Sequence, residues 1–202
     1  TFVLSLAGQP VGTETFDIRS DGDRIEAEAE IELRIEREGK VHNFRTSPKL
    51  VLDGELRPLS YSWSQKGAQS SRLEVDFNST PARATYKTVD GQDDVREFEL
   101  PKDIVVLDDN VIHHYQLIIA RYRKAGGPNQ SFPAFVPQGA LPGMVSVEDV
   151  GEEKVDLGGG PEELRHLVIS TDLARIELWV DKQDRLQRVS IPPAQFEAVR
   201  KK

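Results

Sequence analysis

The strongest pattern in the sequence is the run Arg24-Ile25-Glu26-Ala27-Glu28-Ala29-Glu30-Ile31-Glu32-Leu33-Arg34-Ile35-Glu36. Every odd-numbered position is apolar, and every even-numbered position is charged. Because successive side chains of a β-strand point to opposite faces, this period of two predicts one long strand with an apolar face and a charged face. A helix would scatter the same apolar residues around its circumference, so the strand is the better interpretation.

The charged face of this strand carries several glutamates in a row: Glu26, Glu28, Glu30, Glu32 and Glu36. Like charges directly opposite each other destabilise a sheet, so we expect neighbouring strands to place cations beside them. The next segment, residues 41–52, offers Arg45 and Lys49 on its outer face. Its apolar residues Phe44, Leu50 and Leu52 are expected to face the core.

Turn residues recur on the C-terminal side of this strand about every 10 to 14 residues. They include Glu38-Gly39, Asp53-Gly54, Lys66-Gly67, Asp90-Gly91 and Gly158-Gly159-Gly160-Pro161. Short apolar runs separated by such turns predict an antiparallel meander. In the second half we expect strands near 144–150, 152–157, 164–170, 175–181 and 185–191.

One segment departs from the strand pattern and predicts a helix near 109–124. Its apolar stripe is Val111, Tyr115, Ile118, Ile119 and Tyr122. Aspartates precede this segment and basic residues end it, which suits the helix dipole, and Gly126-Gly127 stops it. We therefore predict a mainly β fold, a curved antiparallel meander sheet or half-open barrel of about a dozen strands with this helix inserted. Residues 1–202 are expected to form a single β domain, and 192–202 to begin a linker to a following domain.

Composition excludes several classes of function. The 202 residues carry 26 basic and 34 acidic side chains, a net charge of −8, and no cysteine. An acidic protein lacks the basic surface that nucleic acid or an anionic membrane requires, and no apolar run is long enough to span a bilayer. The absence of cysteine removes disulfides, thiolate catalysis and cysteine-ligated metals.

The sequence contains no pattern typical of a catalytic or metal site. His113 and His114 are adjacent, so on a helix they point about 100° apart and do not share one metal ion. His42 and His166 lie on separate predicted strands, and strictly alternating glutamates are solvated rather than poised as general acids. We therefore expect no enzymatic activity, no catalytic residue, no metal and no cofactor.

The remaining candidate site is apolar. A curved sheet around one helix leaves a groove, and the proline-rich segment 128–142 is a candidate lid over it. The candidate ligand-binding residues are Phe132, Phe135, Leu141, Met144, Tyr115 and Ile119. The alternative is that these side chains simply fill the core.

Two stretches resemble a known kind of protein. The run Leu178-Trp179-Val180-Asp181-Lys182-Gln183-Asp184-Arg185-Leu186-Gln187-Arg188-Val189 resembles the closing hairpin of secreted bacterial β domains of the DUF3108-like kind. The run Gly8-Gln9-Pro10-Val11-Gly12-Thr13-Glu14 fits the same layout. Those domains are similar in turn to the LolA/LolB lipoprotein carriers, a half-open barrel with a helical plug. The resemblance implies a carrier fold, and it transfers no catalytic residue.

Three functions are compatible with these observations. The first is an exported, non-enzymatic β domain that binds a hydrophobic ligand or a lipidated partner in its concave face. The second is an N-terminal accessory or interaction domain of a secreted hydrolase, because the tail 188–200 resembles the junction before such a domain. The third is a stand-alone enzyme that uses scattered Asp, Glu and His. Residues 1–6 already read as a strand, so we expect a preceding segment to have been removed, either a signal peptide or a deliberate truncation. We expect a bacterial periplasmic or secreted location, with no nucleic-acid partner.

Overall fold

The computed structural model describes residues 1–37, 39–66, 70–87 and 92–201. The first eight strands are β1 (Phe2–Leu6), β2 (Gln9–Asp21), β3 (Arg24–Arg37), β4 (Lys40–Asp53), β5 (Pro58–Lys66), β6 (Ser71–Asp76), β7 (Ala82–Lys87) and β8 (Asp93–Phe98). A short strand, β9 (Val105–Val106), precedes the helix α1 (His113–Ala125). The remaining strands are β10 (Asn129–Val136), β11 (Leu141–Asp156), β12 (Pro161–Ser170), β13 (Arg175–Val180), β14 (Leu186–Ile191) and β15 (Phe196–Arg200), with a 3-10 helix at Pro192–Ala194.

In the described ranges these strands form one sheet in the order β8-β7-β6-β5-β4-β3-β2-β1-β15-β14-β13-β12-β11-β10-β9. Each half is a meander of antiparallel neighbours, and β9 alone pairs in parallel, with β10. The two halves join where β1 pairs with β15. The predicted mainly β, antiparallel fold with one inserted helix is therefore confirmed.

The alternating segment forms strand β3 as predicted. Its inward residues Ala27, Ala29 and Ile31 are buried. On the outer face, Lys49 Nζ lies 2.9 Å from a Glu26 carboxylate oxygen, and Arg45 lies 2.8 Å from one of Glu32. These pairs are partly or largely exposed, so their main effect is to reduce repulsion between the glutamates along the strand.

The sheet curls around α1, which runs through its concave side. Buried residues of the helix are His113, His114, Tyr115, Leu117, Ile118, Ile119 and Tyr122. Most of them pack in one apolar cluster with β1, β3 and β9–β15, whereas Leu117 packs in a second cluster with β3–β7, β9 and β10. The helix thus fills most of the groove that was expected between it and the sheet. No helix within the described residues is both long and apolar enough to cross a membrane.

The β9–β10 edge lies inside the curl of the sheet. Phe132 and Ala134 of β10 face the helix cluster, whereas Phe135 packs against Phe77 and Phe98 on the other side. The Tyr86 hydroxyl of β7 donates a hydrogen bond to the Pro137 carbonyl at 2.8 Å. The proline-rich segment expected as a lid is therefore largely a sheet strand, because its alternating apolar residues are buried on both faces.

Several boundaries differ from the sequence expectation. Helix α1 begins at His113, four residues later than predicted, because residues 109–112 form the turn that enters it. The two strands expected near 144–150 and 152–157 are one strand, β11, with a bulge between Asp149 and Gly151. The segment 192–202 was expected to leave the sheet, but Phe196–Arg200 is strand β15, paired with β1 and β14. Predicted turn residues Glu38, Gly67 and Asp90-Gly91 lie outside the described residues.

Helix α1 is attached to the sheet through Glu14 of β2, whose side chain is fully buried. One carboxylate oxygen accepts the backbone N–H of Ile112 at 2.7 Å, and the other accepts that of His113 at 2.7 Å. His113 Nδ1 lies 2.8 Å from the second oxygen. Glu14 therefore satisfies N–H groups that the first turn of a helix leaves unpaired, and its negative charge faces the positive end of the helix dipole.

We expect Glu14→Gln to lower the free energy of unfolding by about 3 kcal/mol, because its amide group turns a donor toward buried donors. Urea unfolding followed by circular dichroism measures this loss. Glu32→Gln, at an exposed glutamate of β3, is the matched control and is expected to cost less than about 1 kcal/mol. Equal losses in the two variants would show that Glu14 is not the attachment point of the helix.

Gly12 is required where β2 pairs closely with β3. A Cβ atom at this position would lie 2.0 Å from the Glu32 carbonyl oxygen, which is backbone and cannot turn aside. We expect Gly12→Ala to destabilise the protein by about 2 kcal/mol or more through this overlap. Gly143→Ala on β11 has no atom within 4 Å of the new Cβ and is the control. Thermal and urea unfolding measure the stability of the two variants. Equal stability would mean that β2 and β3 move apart at no cost to admit the new Cβ atom, which would contradict the prediction.

Candidate functional site

An apolar cavity lies beside the start of α1, at one end of the curled sheet. It has a volume of about 580 Å³. Its wall combines the loop 107–110 before the helix, the β10–β11 turn, the β12–β13 turn and the end of β14. Apolar side chains that line it include Leu107, Val136, Leu141, Met144, Leu173 and Ile176.

Three large apolar side chains at the mouth of this cavity are exposed to solvent. Leu141 is 44% exposed, Met144 51% and Leu173 80%. Single exposed apolar residues are ordinary, whereas several around one cavity form an exposed apolar patch. We call these three residues the apolar rim.

The structure separates the six candidate ligand-binding residues into two groups. Tyr115, Leu141 and Met144 line the cavity. The other three are core residues, in keeping with the alternative that they fill the interior: Phe132 and Ile119 in the helix cluster, and Phe135 in the second cluster. Ligand binding by the first group stays a prediction.

Leu173 is a rim residue that sequence reasoning missed. It lies in the turn Thr171-Asp172-Leu173-Ala174, where the Thr171 hydroxyl accepts the backbone N–H groups of Leu173 and Ala174. The sequence does contain one signal for this residue, a leucine in a turn whose other residues are polar or small. Turns normally expose their side chains, so this leucine is expected to be exposed. That it lines the same cavity as Leu141 depends on the pairing of β11 with β12, which the sequence around Leu173 does not reveal.

Asp108 is the buried polar group of the cavity wall. One of its oxygens accepts the Tyr61 hydroxyl at 2.6 Å, and the other accepts the backbone N–H groups of Gln138 at 2.9 Å and Asp109 at 3.1 Å. Burial raises the pKa of Asp108, and the hydrogen bonds oppose that rise. Burial, together with the Asp108 charge, raises the pKa of Tyr61 well above its usual value. Both carboxylate oxygens of Asp108 thus accept hydrogen bonds that hold the loop 107–110 in place.

The two other acids of the wall, Asp109 and Asp172, are exposed. Within the described ranges, neither carboxylate takes part in a hydrogen bond or ion pair. Among the described residues that line the cavity, none is a lysine, arginine or histidine. The cavity therefore combines an apolar interior with a negatively charged mouth.

The adjacent histidines lie fully buried behind the wall. Their ring centroids are 4.8 Å apart, and His113 stacks on Phe16 while His114 meets Tyr61 edge-on. His114 Nδ1 accepts the Asp108 backbone N–H at 3.2 Å, and the Nε2 atoms of both rings lack a partner among the described residues. Burial, and secondarily His113, lowers the pKa of His114 well below its usual value.

This histidine cluster has the features of an internal support rather than of a catalytic centre. Its members Glu14, His113 and His114 have no exposed surface, so a substrate has no direct access to them. Their hydrogen bonds hold the helix start and the loop that forms the cavity wall. Across the described parts of the chain, no three His, Asp or Glu side chains are grouped closely enough to hold a metal ion.

The fold is similar to that of two solved proteins. One is a β-barrel-like protein of domain of unknown function DUF1849 from Brucella abortus, with a TM-score of 0.62 and 9% identity, covering 98% of this chain and 92% of that one. Another is a DUF1089 family protein from Pseudomonas aeruginosa, with a TM-score of 0.52 and 15% identity, covering 90% of both chains. At these identities the likeness concerns the fold alone.

No family model matches the sequence, and no curated protein matches it significantly. The expected resemblance to DUF3108-like domains and LolA/LolB carriers is therefore not confirmed at the level of a family. The chain is similar in fold to β-barrel-like domains of unknown function.

Proposed function

We propose that the protein is an exported, non-enzymatic binding domain that holds an apolar molecule in the cavity beside the start of α1. The ligand class is an acyl chain or similar aliphatic group, either free or attached to a lipidated partner. The observation that carries the proposal is the apolar cavity of about 580 Å³ with the apolar rim at its mouth.

The dimensions and chemistry of the cavity suit such a ligand. Small-molecule sites commonly enclose about 300–1,000 Å³ and are lined mostly by apolar side chains with few polar groups. The helix occupies most of the concave face, so the ligand site of this proposal lies at one end of the curl. A bound chain would cover Leu141, Met144 and Leu173, whose exposure otherwise costs hydrophobic free energy.

Met144 provides a direct test, because it is the single methionine of the chain and lies in the apolar rim. We expect its ¹³C-labelled methyl resonance to shift saturably when decanol is added below its solubility limit. The variant Met144→Leu identifies the resonance. A Met144 signal that does not respond to decanol would contradict the proposal.

A variant that fills the cavity tests whether decanol binds there. Gly143 lines the cavity and pairs with Ala134, another residue of the cavity wall, across β10 and β11. We expect Gly143→Phe to weaken decanol binding roughly tenfold, the loss expected from displacing about 60 Å² of apolar contact. Calorimetric titration measures this effect. Gly143→Ala is the size control and should bind as the unmodified protein does. Equal affinity in all three proteins would place decanol elsewhere.

Export is the part of the proposal that follows the sequence expectation. Fractionation of bacterial cells that express the full-length gene measures it, with the protein expected in the periplasmic or secreted fraction. Recovery from the cytoplasmic fraction alone would contradict it.

A further inference from the structure

We infer that the ligand of this cavity is a cationic amphiphile, a single aliphatic chain with an amine or ammonium head. The inference rests on the proposed function and adds the charge of the head group to it. The observation behind it is that the cavity has an apolar interior and unpaired carboxylates at its mouth.

The charge at the mouth is uniform in sign. Among the described lining residues the acids are Asp108, Asp109 and Asp172, and the other ionisable side chain is Tyr115. Burial raises the pKa of Tyr115, so that phenol stays neutral. None of the described residues that line the cavity is basic.

The carboxylates differ in what they have left to bind. Asp108 already accepts three hydrogen bonds from the protein, whereas Asp109 and Asp172 have none within the described ranges. Both are exposed at the mouth, where the head of a bound chain would lie. They are thus the two carboxylates available to a cation.

Two positive groups that lie close to these acids along the chain are already engaged elsewhere. Arg175, directly after the β12–β13 turn, lies 3.1 Å from a Glu177 carboxylate oxygen and is engaged there. The positive end of the α1 dipole is occupied by Glu14. A fatty-acid carboxylate or a phosphate head would therefore meet two carboxylates with no cation among the described residues of the wall, whereas an ammonium head would pair with them.

The test compares three amphiphiles of equal chain length, followed at the Met144 methyl resonance and by calorimetry below their micelle concentrations. They are decanol, decanoate and decyltrimethylammonium, whose charge does not change with pH. We expect decyltrimethylammonium to bind about fivefold more tightly than decanol and decanoate to bind more weakly than decanol, as one or two partly exposed ion pairs would give. The preference should shrink in 1 M salt, while decanol affinity does not fall, because screening acts on the charged heads.

Charge-removing variants locate the origin of the preference. The double variant Asp109→Asn, Asp172→Asn is expected to equalise the affinities for decyltrimethylammonium and decanol. The control double variant Glu30→Gln, Glu32→Gln removes the same net charge from the outer face of β3 and should keep the preference. A similar loss in both double variants would mean that net charge, not the mouth, selects the ligand, and would overturn the inference.

The outcomes separate the two proposals. If none of the three amphiphiles shifts the Met144 resonance, the proposed function fails and the head-group inference fails with it. If decanol binds but decanoate binds as tightly as decyltrimethylammonium, the proposed function stands and the cationic head is wrong. Tighter binding of decyltrimethylammonium that depends on Asp109 and Asp172 supports both.

Discussion

The rest of the structure depends on one buried carboxylate. Glu14 lies on β2, near the middle of the sheet, and receives the first backbone N–H groups of α1. A helix that begins inside a protein has no water for those groups, so an acceptor must come from the protein itself. Because Glu14 supplies it from a fixed point of the sheet, the helix enters the concave side at one place. The two apolar clusters then form on either side of the helix.

This placement of the helix also determines where a ligand has room. The body of α1 fills the concave side, whereas its entry loop must turn sharply, with Asn110 at a φ of 59°. The β10–β11 and β12–β13 turns lie beside that loop and do not cover it. The space between them is the cavity, with the apolar rim at its mouth. The carboxylates of the cavity differ in burial. Buried Asp108 accepts hydrogen bonds that hold the loop, whereas Asp109 and Asp172 are exposed at the mouth. One arrangement thus serves both stability and the proposed binding.

The sequence predicted best where the signal is local. The alternation in 24–36 required a strand with one buried face, and the cations at Arg45 and Lys49 followed from charge balance across a pair of strands. It predicted poorly where the outcome depends on distant pairing. Residues 196–200 have mixed polarity and read as a tail, but they become β15 because the edge of β1 offers unpaired backbone groups. Phe132 and Ala134 on one face of β10 and Phe135 on the other are buried because the sheet curls around that strand.

By itself, the amino-acid sequence determined the strand-rich class, the helix and the charged outer face of β3. It also excluded the kinds of chemistry that need cysteine, because the chain has none. Each follows from side-chain type and spacing within about 15 residues, the range over which strand and helix periodicity acts. Only the tertiary structure decided that Glu14 and His113 meet, that Phe135 lies in the core, and that Leu173 joins Leu141 and Met144 in the apolar rim. These contacts join residues tens of positions apart. They exist because burying apolar surface and pairing buried polar groups are satisfied together only in the curled sheet.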